Sequence, residues 1–302
     1  MRIVAALGGN ALLKRGERPD TRTQQANTDH AARALAALAR QGHAMVVTHG
    51  NGPQVGWLAQ QSQAAGSGGA DPLDLLDAET EGMIGYVIEQ ALRNHLPGRE
   101  VVALLTQVEV DPADPAFSNP AKPIGPPYDS GAARELEGLL GWKMMPDGGR
   151  WRRAVPSPEP LRILELNAIR LLLDAGAIVI CAGGGGIPVC ALPSGSFHGV
   201  EAVIDKDLCS ALLARELGAD ALLLLTDVDA VYLDWESPEA RPLRATEPGT
   251  LRNHRFAPGS MGPKVEAACR FVEAGGALAG IGLMEDAAVI LEGRRGTLIR
   301  PG

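Results

Sequence analysis

Lysine is scarce in this chain, which makes its positions informative: Lys14, Lys122, Lys143, Lys206 and Lys264 are the whole set among 28 Lys and Arg residues. Lys206 lies in Val203-Ile204-Asp205-Lys206-Asp207, a cation flanked by carboxylates just ahead of an amphipathic stretch. Lys264 closes Gly259-Ser260-Met261-Gly262-Pro263-Lys264 ahead of another. A glycine-rich loop leading into a helix with a lysine at its start suits a phosphate, because free backbone N–H groups, the helix dipole and the ammonium all favour the anion. Lys122 stands in Lys122-Pro123-Ile124-Gly125-Pro126, where a lid could deliver it. For each of these lysines a solvated surface position is the plain alternative.

Three glycine clusters accompany the cations. Gly8-Gly9-Asn10 and Gly50-Asn51-Gly52 each end a short apolar run, where glycine lets backbone N–H groups come close to an anion. Gly9 is expected to be such a point of close approach. The third cluster, Gly183 to Gly186, fits neither G-x-G-x-x-G nor G-x-x-x-x-G-K-[ST], so a Rossmann dinucleotide site and a Walker loop both lose support.

The elements that must position these loops follow from hydropathy. Apolar runs at Ile3 to Leu7, Met45 to Val47, Val101 to Leu105, Ile178 to Cys181 and Leu222 to Leu225 break off in Gly, Thr, Asn or Asp. Such runs suit buried parallel strands with functional loops at their carboxyl ends. Between them lie helical stripes such as Ala31, Ala34, Leu35, Leu38 and Ala39, or Ile84, Val87, Ile88, Ala91 and Leu92. The alternation predicts an α/β fold, a sandwich around a mostly parallel sheet. From Asp111 to Pro160 the rhythm fails amid ten prolines, and an inserted lid subdomain is expected there, a dimerisation arm being the alternative.

Composition narrows the function classes. The net charge of −8 and only eleven aromatic residues (4 Phe, 4 Trp, 3 Tyr) argue against nucleic acid as a partner. No apolar stretch reaches the roughly 18 residues of a membrane span, and the first apolar run is too short for a signal sequence. Cys181, Cys190, Cys209 and Cys269 show no metal-ligand spacing and are expected to be reduced core thiols of a cytoplasmic protein.

The segments ALGGNALL, VVTHGNGPQVG, KPIGPPY, RRAVPSPEP, AGGGGIPV, GVEAVIDKDL, LLTDVDAVY and FAPGSMGPKVEAA together resemble the carbamate kinases of the amino-acid kinase superfamily, along almost the whole chain. The resemblance implies a three-layer αβα sandwich with an inserted lid, a homodimer, and Mg²⁺-dependent phosphoryl exchange between ATP/ADP and carbamate/carbamoyl phosphate. It implies a lobe over 1–215, with a lid insert over 111–160, for carbamate and phosphoryl, and a lobe over 216–302 for the nucleotide. Gly8, Gly9, Asn10, Gly50, Asn51, Gly52, Gly184 and Gly185 match the substrate side. Lys122 matches the lid lysine, Lys206 and Lys264 the cations on the phosphates, and Asp207 the carboxylate that orients them. Thr226, Asp227, Val228, Tyr232, Met261 and Gly262, with Lys206 and Lys264, match the nucleotide side. The lid departs from the family at Pro127, where an aromatic residue is more usual.

The chemistry of the residues agrees with that resemblance. Carbamate is already an anionic nucleophile, so its phosphorylation needs no general base; it needs positive charge and N–H groups around the moving phosphoryl. Two alternatives stay open at this level: another small-acid or phosphate kinase of the same superfamily, and a metabolite sensor without turnover.

Overall fold

The computed structural model describes residues 1–9, 21–64, 71–235, 237, 239–257 and 261–302. Asn10 and Lys14 lie outside them. Eight strands build the central sheet: β1 (Arg2–Leu7), β2 (Ala44–His49), β3 (Val101–Ala103), β4 (Ile178–Ile180), β5 (Ala221–Thr226), β6 (Ala245–Thr246), β7 (Leu278–Leu283) and β8 (Thr297–Ile299). Their spatial order is β6-β8-β7-β5-β1-β2-β4-β3. Every adjacent pair is parallel except β7 with β8.

The strands are apolar almost throughout because both faces of the sheet are covered. Val4, Ala6, Val46, Val179, Leu222 and Leu224 turn to one side, against α5 (Leu166–Asp174), α6 (Lys206–Glu216) and α8 (Met261–Glu273). The alternate residues Ile3, Ala5, Leu7, Met45, Val47 and Leu223 turn to the other. There they meet α1 (Thr21–Arg40), α3 (Leu73–His95) and α9 (Ala287–Leu291). The result is the three-layer αβα sandwich that the resemblance implies, around the mostly parallel sheet that the strand and helix patterns predict, with an apolar core on each face of the sheet. β1 from the start of the chain pairs with β5 from beyond residue 215, so the sheet is continuous between the two expected lobes.

The proline-rich stretch has its own structure. Lys122–Tyr128, Arg150–Val155 and Lys143–Asp147 form a three-stranded antiparallel sheet in that order, joined by α4 (Ser130–Leu140). Asp129 caps α4 by accepting from the N–H groups of Gly131 and Ala132, and Gly141 ends it in the left-handed conformation. This helix escapes a reading of proline density because its signals are two caps around eleven residues. The pairing is irregular between Ile124 and Tyr128, and Pro127 is exposed there, so proline at that position disturbs no packing. Two further α-helices among the described residues are α2 (Gly52–Ala64), which follows β2, and α7 (Pro248–Leu251), which precedes α8.

Candidate active site

The carboxyl ends of β2, β1 and β5 lie side by side, and the loops leaving them meet at one place. Gly8 N–H donates to the carbonyl of Leu225 at 2.9 Å, and Gly50 N–H to that of Leu7 at 3.0 Å. A Cβ on Gly50 would stand 3.0 Å from Gly9 N, 3.2 Å from Gly9 Cα and 3.4 Å from Lys206 Cδ. The first two glycine loops and the Lys206 side chain therefore touch. A Cβ on Gly9 would meet, among the described residues, only Pro53 Cδ at 3.6 Å, an ordinary contact. Among the described residues it is thus Gly50 that faces a backbone, while Gly9 leaves room on its Cβ side.

The cations converge at the start of α6. Asp205 caps this helix, its Oδ1 accepting from Asp207 N at 2.9 Å and Leu208 N at 3.2 Å. Lys206 and Asp207 therefore occupy its first turn, where the backbone holds their side chains in place. Asp207 bridges two ammonium groups: Lys206 Nζ donates to Oδ1 at 2.5 Å and Lys264 Nζ to Oδ2 at 3.1 Å. Lys264 comes from the first turn of α8, 57 residues later in the chain. Lys122 Nζ reaches Asp205 Oδ2 at 3.1 Å. Three of the five lysines thus lie on two neighbouring carboxylates.

Burial governs the electrostatics of this cluster. Burial pushes the Asp207 carboxyl upward, but the charges of Lys206 and Lys264 outweigh it and hold the group well below the usual carboxylate range. Burial lowers the Lys206 ammonium, and Lys264 repels it further, against the pull of Asp207. For Lys264 burial again acts downward, yet the Asp207 charge prevails and its pKa is raised. One carboxylate thus sustains two ammonium groups in a dry place, leaving a net positive charge for an anionic ligand.

A second set of residues supports the glycine loops from behind. Asn51 Nδ2 donates to Asp77 Oδ1 at 2.8 Å and to Thr80 Oγ1 at 2.9 Å, both on α3. Glu81, one residue on, accepts from Gly183 N at 2.8 Å and from Thr106 N at 3.0 Å. A Cβ on Gly184 would fall 2.2 Å from Asn51 Nδ2, and one on Gly185 2.7 Å from the Ile204 carbonyl oxygen. The third glycine cluster is therefore pressed between the Asn51 amide and the segment leading to α6. Burial raises Asp77 well above its ordinary value and pushes Glu81 up to about 8. Burial also lowers His49 to about 4, and its Nε2 has no hydrogen-bond partner. His49 is thus a neutral packing residue beside the loops.

Asp77, Thr80 and Glu81 had a signal in the sequence: they sit at i, i+3 and i+4 on a helix whose buried stripe otherwise reads Leu73, Leu76, Ile84 and Ile88. Polar groups on a buried face are informative, since each must be satisfied. Asp205 was equally legible as an N-cap. Other expected residues are less tightly gathered. Thr226 ends β5, its hydroxyl donating to Asp227 Oδ1 at 3.1 Å, and the Asp227 charge acts on Lys264. Val228 follows in the turn, half-buried. Met261 and Gly262 open α8 one turn from Lys264, and Gly52 opens α2 with open space where its Cβ would be. Tyr232 points elsewhere: its hydroxyl donates to Asp229 Oδ1 at 2.8 Å and its ring lies edge-on to Trp235.

The whole chain matches known proteins in length and order. The family model described as the Amino acid kinase family matches residues 1–281. The carbamate kinase of Rhizobium meliloti (strain 1021) is 54% identical over 302 residues, spanning 99% of this chain and 93% of that protein. The carbamate kinase of Haemophilus influenzae is 49% identical over 300 residues, 99% of this chain and 96% of that protein. Among solved structures, carbamate kinase from Giardia lamblia bound to AMP-PNP superposes with a TM-score of 0.90 at 39% identity, covering 100% of this chain and 98% of that one. A match of that extent and identity leaves one conclusion: the chain belongs to the amino acid kinase family and, within it, to the carbamate kinases.

Proposed function

We infer that this chain catalyses reversible phosphoryl transfer between ATP and carbamate, giving ADP and carbamoyl phosphate. The observation that carries the inference is the Lys206–Asp207–Lys264 bridge beside the Gly8-Gly9 and Gly50-Asn51-Gly52 loops. In the forward direction a carbamate oxygen forms a bond to the γ-phosphorus while the bond to the bridging oxygen of ADP breaks, its electron pair leaving with ADP. No proton moves. The barrier is the meeting of two anions, and Lys206 and Lys264 lower it by standing where charge spreads over the transferred phosphoryl oxygens. Lys122 brings a third positive charge from the lid to the acceptor side, and the glycine N–H groups complete the cradle. A carbamic–phosphoric anhydride transfers phosphoryl more readily than ATP does, so ATP formation is the favoured direction.

Among the described residues no group of three or more His, Cys, Asp or Glu side chains converges as a metal site. The divalent ion of the reaction, Mg²⁺, enters on the nucleotide phosphates as part of the substrate. Thr226, Asp227, Val228, Met261 and Gly262 belong to the nucleotide side, next to Lys264, while Tyr232 would stand at its margin. Asn51, Gly184 and Gly185 shape the carbamate side. The chain acts in the cytoplasm as a homodimer: Leu75, Met83 and Tyr86 expose an apolar stripe on α3, with Leu105 beside it, that a second copy would cover. No helix among the described residues is long and apolar enough to cross a membrane.

The direct test is ATP production by the purified chain from ADP, Mg²⁺ and carbamoyl phosphate. Lys122→Ala should reduce that turnover about a hundredfold while ADP affinity, read by calorimetry, stays near the parent value. ATP formation from another acyl phosphate but not from carbamoyl phosphate would move the chain to a different acceptor. ADP binding without any turnover would make it a sensor.

A further inference from the structure

Lys122 reaches Asp205 because the strand that carries it lies against α2, and two glycines make the seat. A Cβ built on Gly56 in α2 would fall 2.0 Å from Gly125 Cα, 2.1 Å from Gly125 N and 3.0 Å from the Ile124 carbonyl carbon. These are backbone atoms, which cannot rotate aside. Gly125 in turn holds a φ of +73°, and a Cβ there would stand 3.2 Å from Gly56 Cα. The seat is sealed by a small apolar cluster in which Ile124 and Val155 of the lid meet Val55 and Ala59 of α2 and Leu73 and Leu76 of α3. Polar ties hold the same strand pair: Arg152 Nε donates to the Gly125 carbonyl at 2.8 Å, and Arg153 pairs with Glu201 at 3.2 Å. Glu201 also accepts from Leu73 N at 2.8 Å, so the lid root is bound to the start of α3.

We propose that Gly56 is a positioning residue for the transfer reaction: the notch it leaves in α2 sets the depth at which the lid strand seats, and so the place of the Lys122 ammonium. The proposal rests on the role given to Lys122 above. Lys122 lies three residues before Gly125 in one strand, about 10 Å along it, and that strand is paired to Arg150–Val155 from Lys122 to Ile124. Carbon atoms in contact lie about 3.5–4.0 Å apart. A methyl group at position 56 therefore displaces the strand by about 1.5 Å or more, and a misplacement of about 1 Å can cost about a hundredfold in rate.

The test compares Gly56→Ala, Lys122→Ala and the double variant, each as the full chain with its melting temperature recorded. Gly56→Ala should lower kcat/KM for carbamoyl phosphate at least about tenfold and leave ADP affinity within about twofold. Added to Lys122→Ala, it should cost less than about twofold more, since there is no ammonium left to misplace. Parental kcat/KM in Gly56→Ala, or a double loss equal to the product of the single losses, would overturn the proposal. Near-parental turnover in Lys122→Ala would instead overturn the role of Lys122, and the proposal with it. Should Gly56→Ala fail to fold, Gly125→Asn applies a milder push, because asparagine tolerates positive φ. The same loss and the same non-additivity with Lys122→Ala are then expected, and multiplicative losses overturn the proposal.

Discussion

Replacing Asp207 by Asn removes one negative charge from between two buried ammonium groups, and the consequences can be worked from the distances. At 2.5 and 3.1 Å, and with an effective dielectric constant of about 20, each pair is worth about 5–7 kcal/mol of gross attraction. Desolvation of all three groups offsets most of it, and the measured cost of breaking a buried pair is about 3–5 kcal/mol. Set against a typical total of about 5–15 kcal/mol, such a loss is a large part of the stability of the fold. It need not all appear as unfolding, because a proton can leave instead. Burial and Lys264 already push Lys206 down, and Asp207 is what pulls it back. Without that carboxylate Lys206 falls further and is neutral over more of the alkaline range. On the role proposed for its charge in transfer, Asp207→Asn should lose activity progressively as pH rises across a range where the parent profile is flat. Urea unfolding at several pH values and kcat/KM for ATP formation over the same range test both consequences. An unchanged unfolding midpoint together with a parallel pH profile would refute the bridge as the means by which Lys206 stays charged.

Lys206→Ala should slow the chemical step by about a hundredfold or more with a smaller effect on stability, read as kcat against melting temperature. Gly50→Ala places a methyl 3.0 Å from Gly9 N and should cost about tenfold in kcat, whereas Gly9→Ala, which among the described residues meets Pro53 Cδ at 3.6 Å, should cost much less. His49 is held neutral to about pH 4 in the fold but takes up a proton near 6.5 when unfolded. Its contribution is therefore present above about pH 6.5 and is lost as pH falls toward 4, at most about 3 kcal/mol. His49→Gln should flatten that acid limb in denaturant titrations. Glu81, raised to about 8, acts with the opposite sign, its contribution being full below about 4.5 and lost as pH rises toward 8.

What the sequence by itself determined was what strong local pattern or residue type carries; the capped helix α4, whose signals are two caps around eleven residues, was not among it. Apolar runs breaking off in Gly, Thr, Asn or Asp located β1, β2, β3, β4 and β5, because a strand covered on both faces must be apolar throughout. Scarce lysines next to helix starts singled out Lys206 and Lys264, which the fold brings onto one carboxylate, because an anion site needs charge where backbone donors are free. Only the tertiary structure decided which of those groups meet. Lys264 joins Asp207 across 57 residues, and Lys122 joins Asp205 across 83. No periodicity encodes a contact at such separation, which is created by the packing of α6 against α8 and of the strand Lys122–Tyr128 on α2. The same holds for the glycines. Composition marks Gly9, Gly50 and Gly56 alike, but whether a Cβ is tolerated depends on which backbone lies opposite, and that is known only once the chain has folded back on itself.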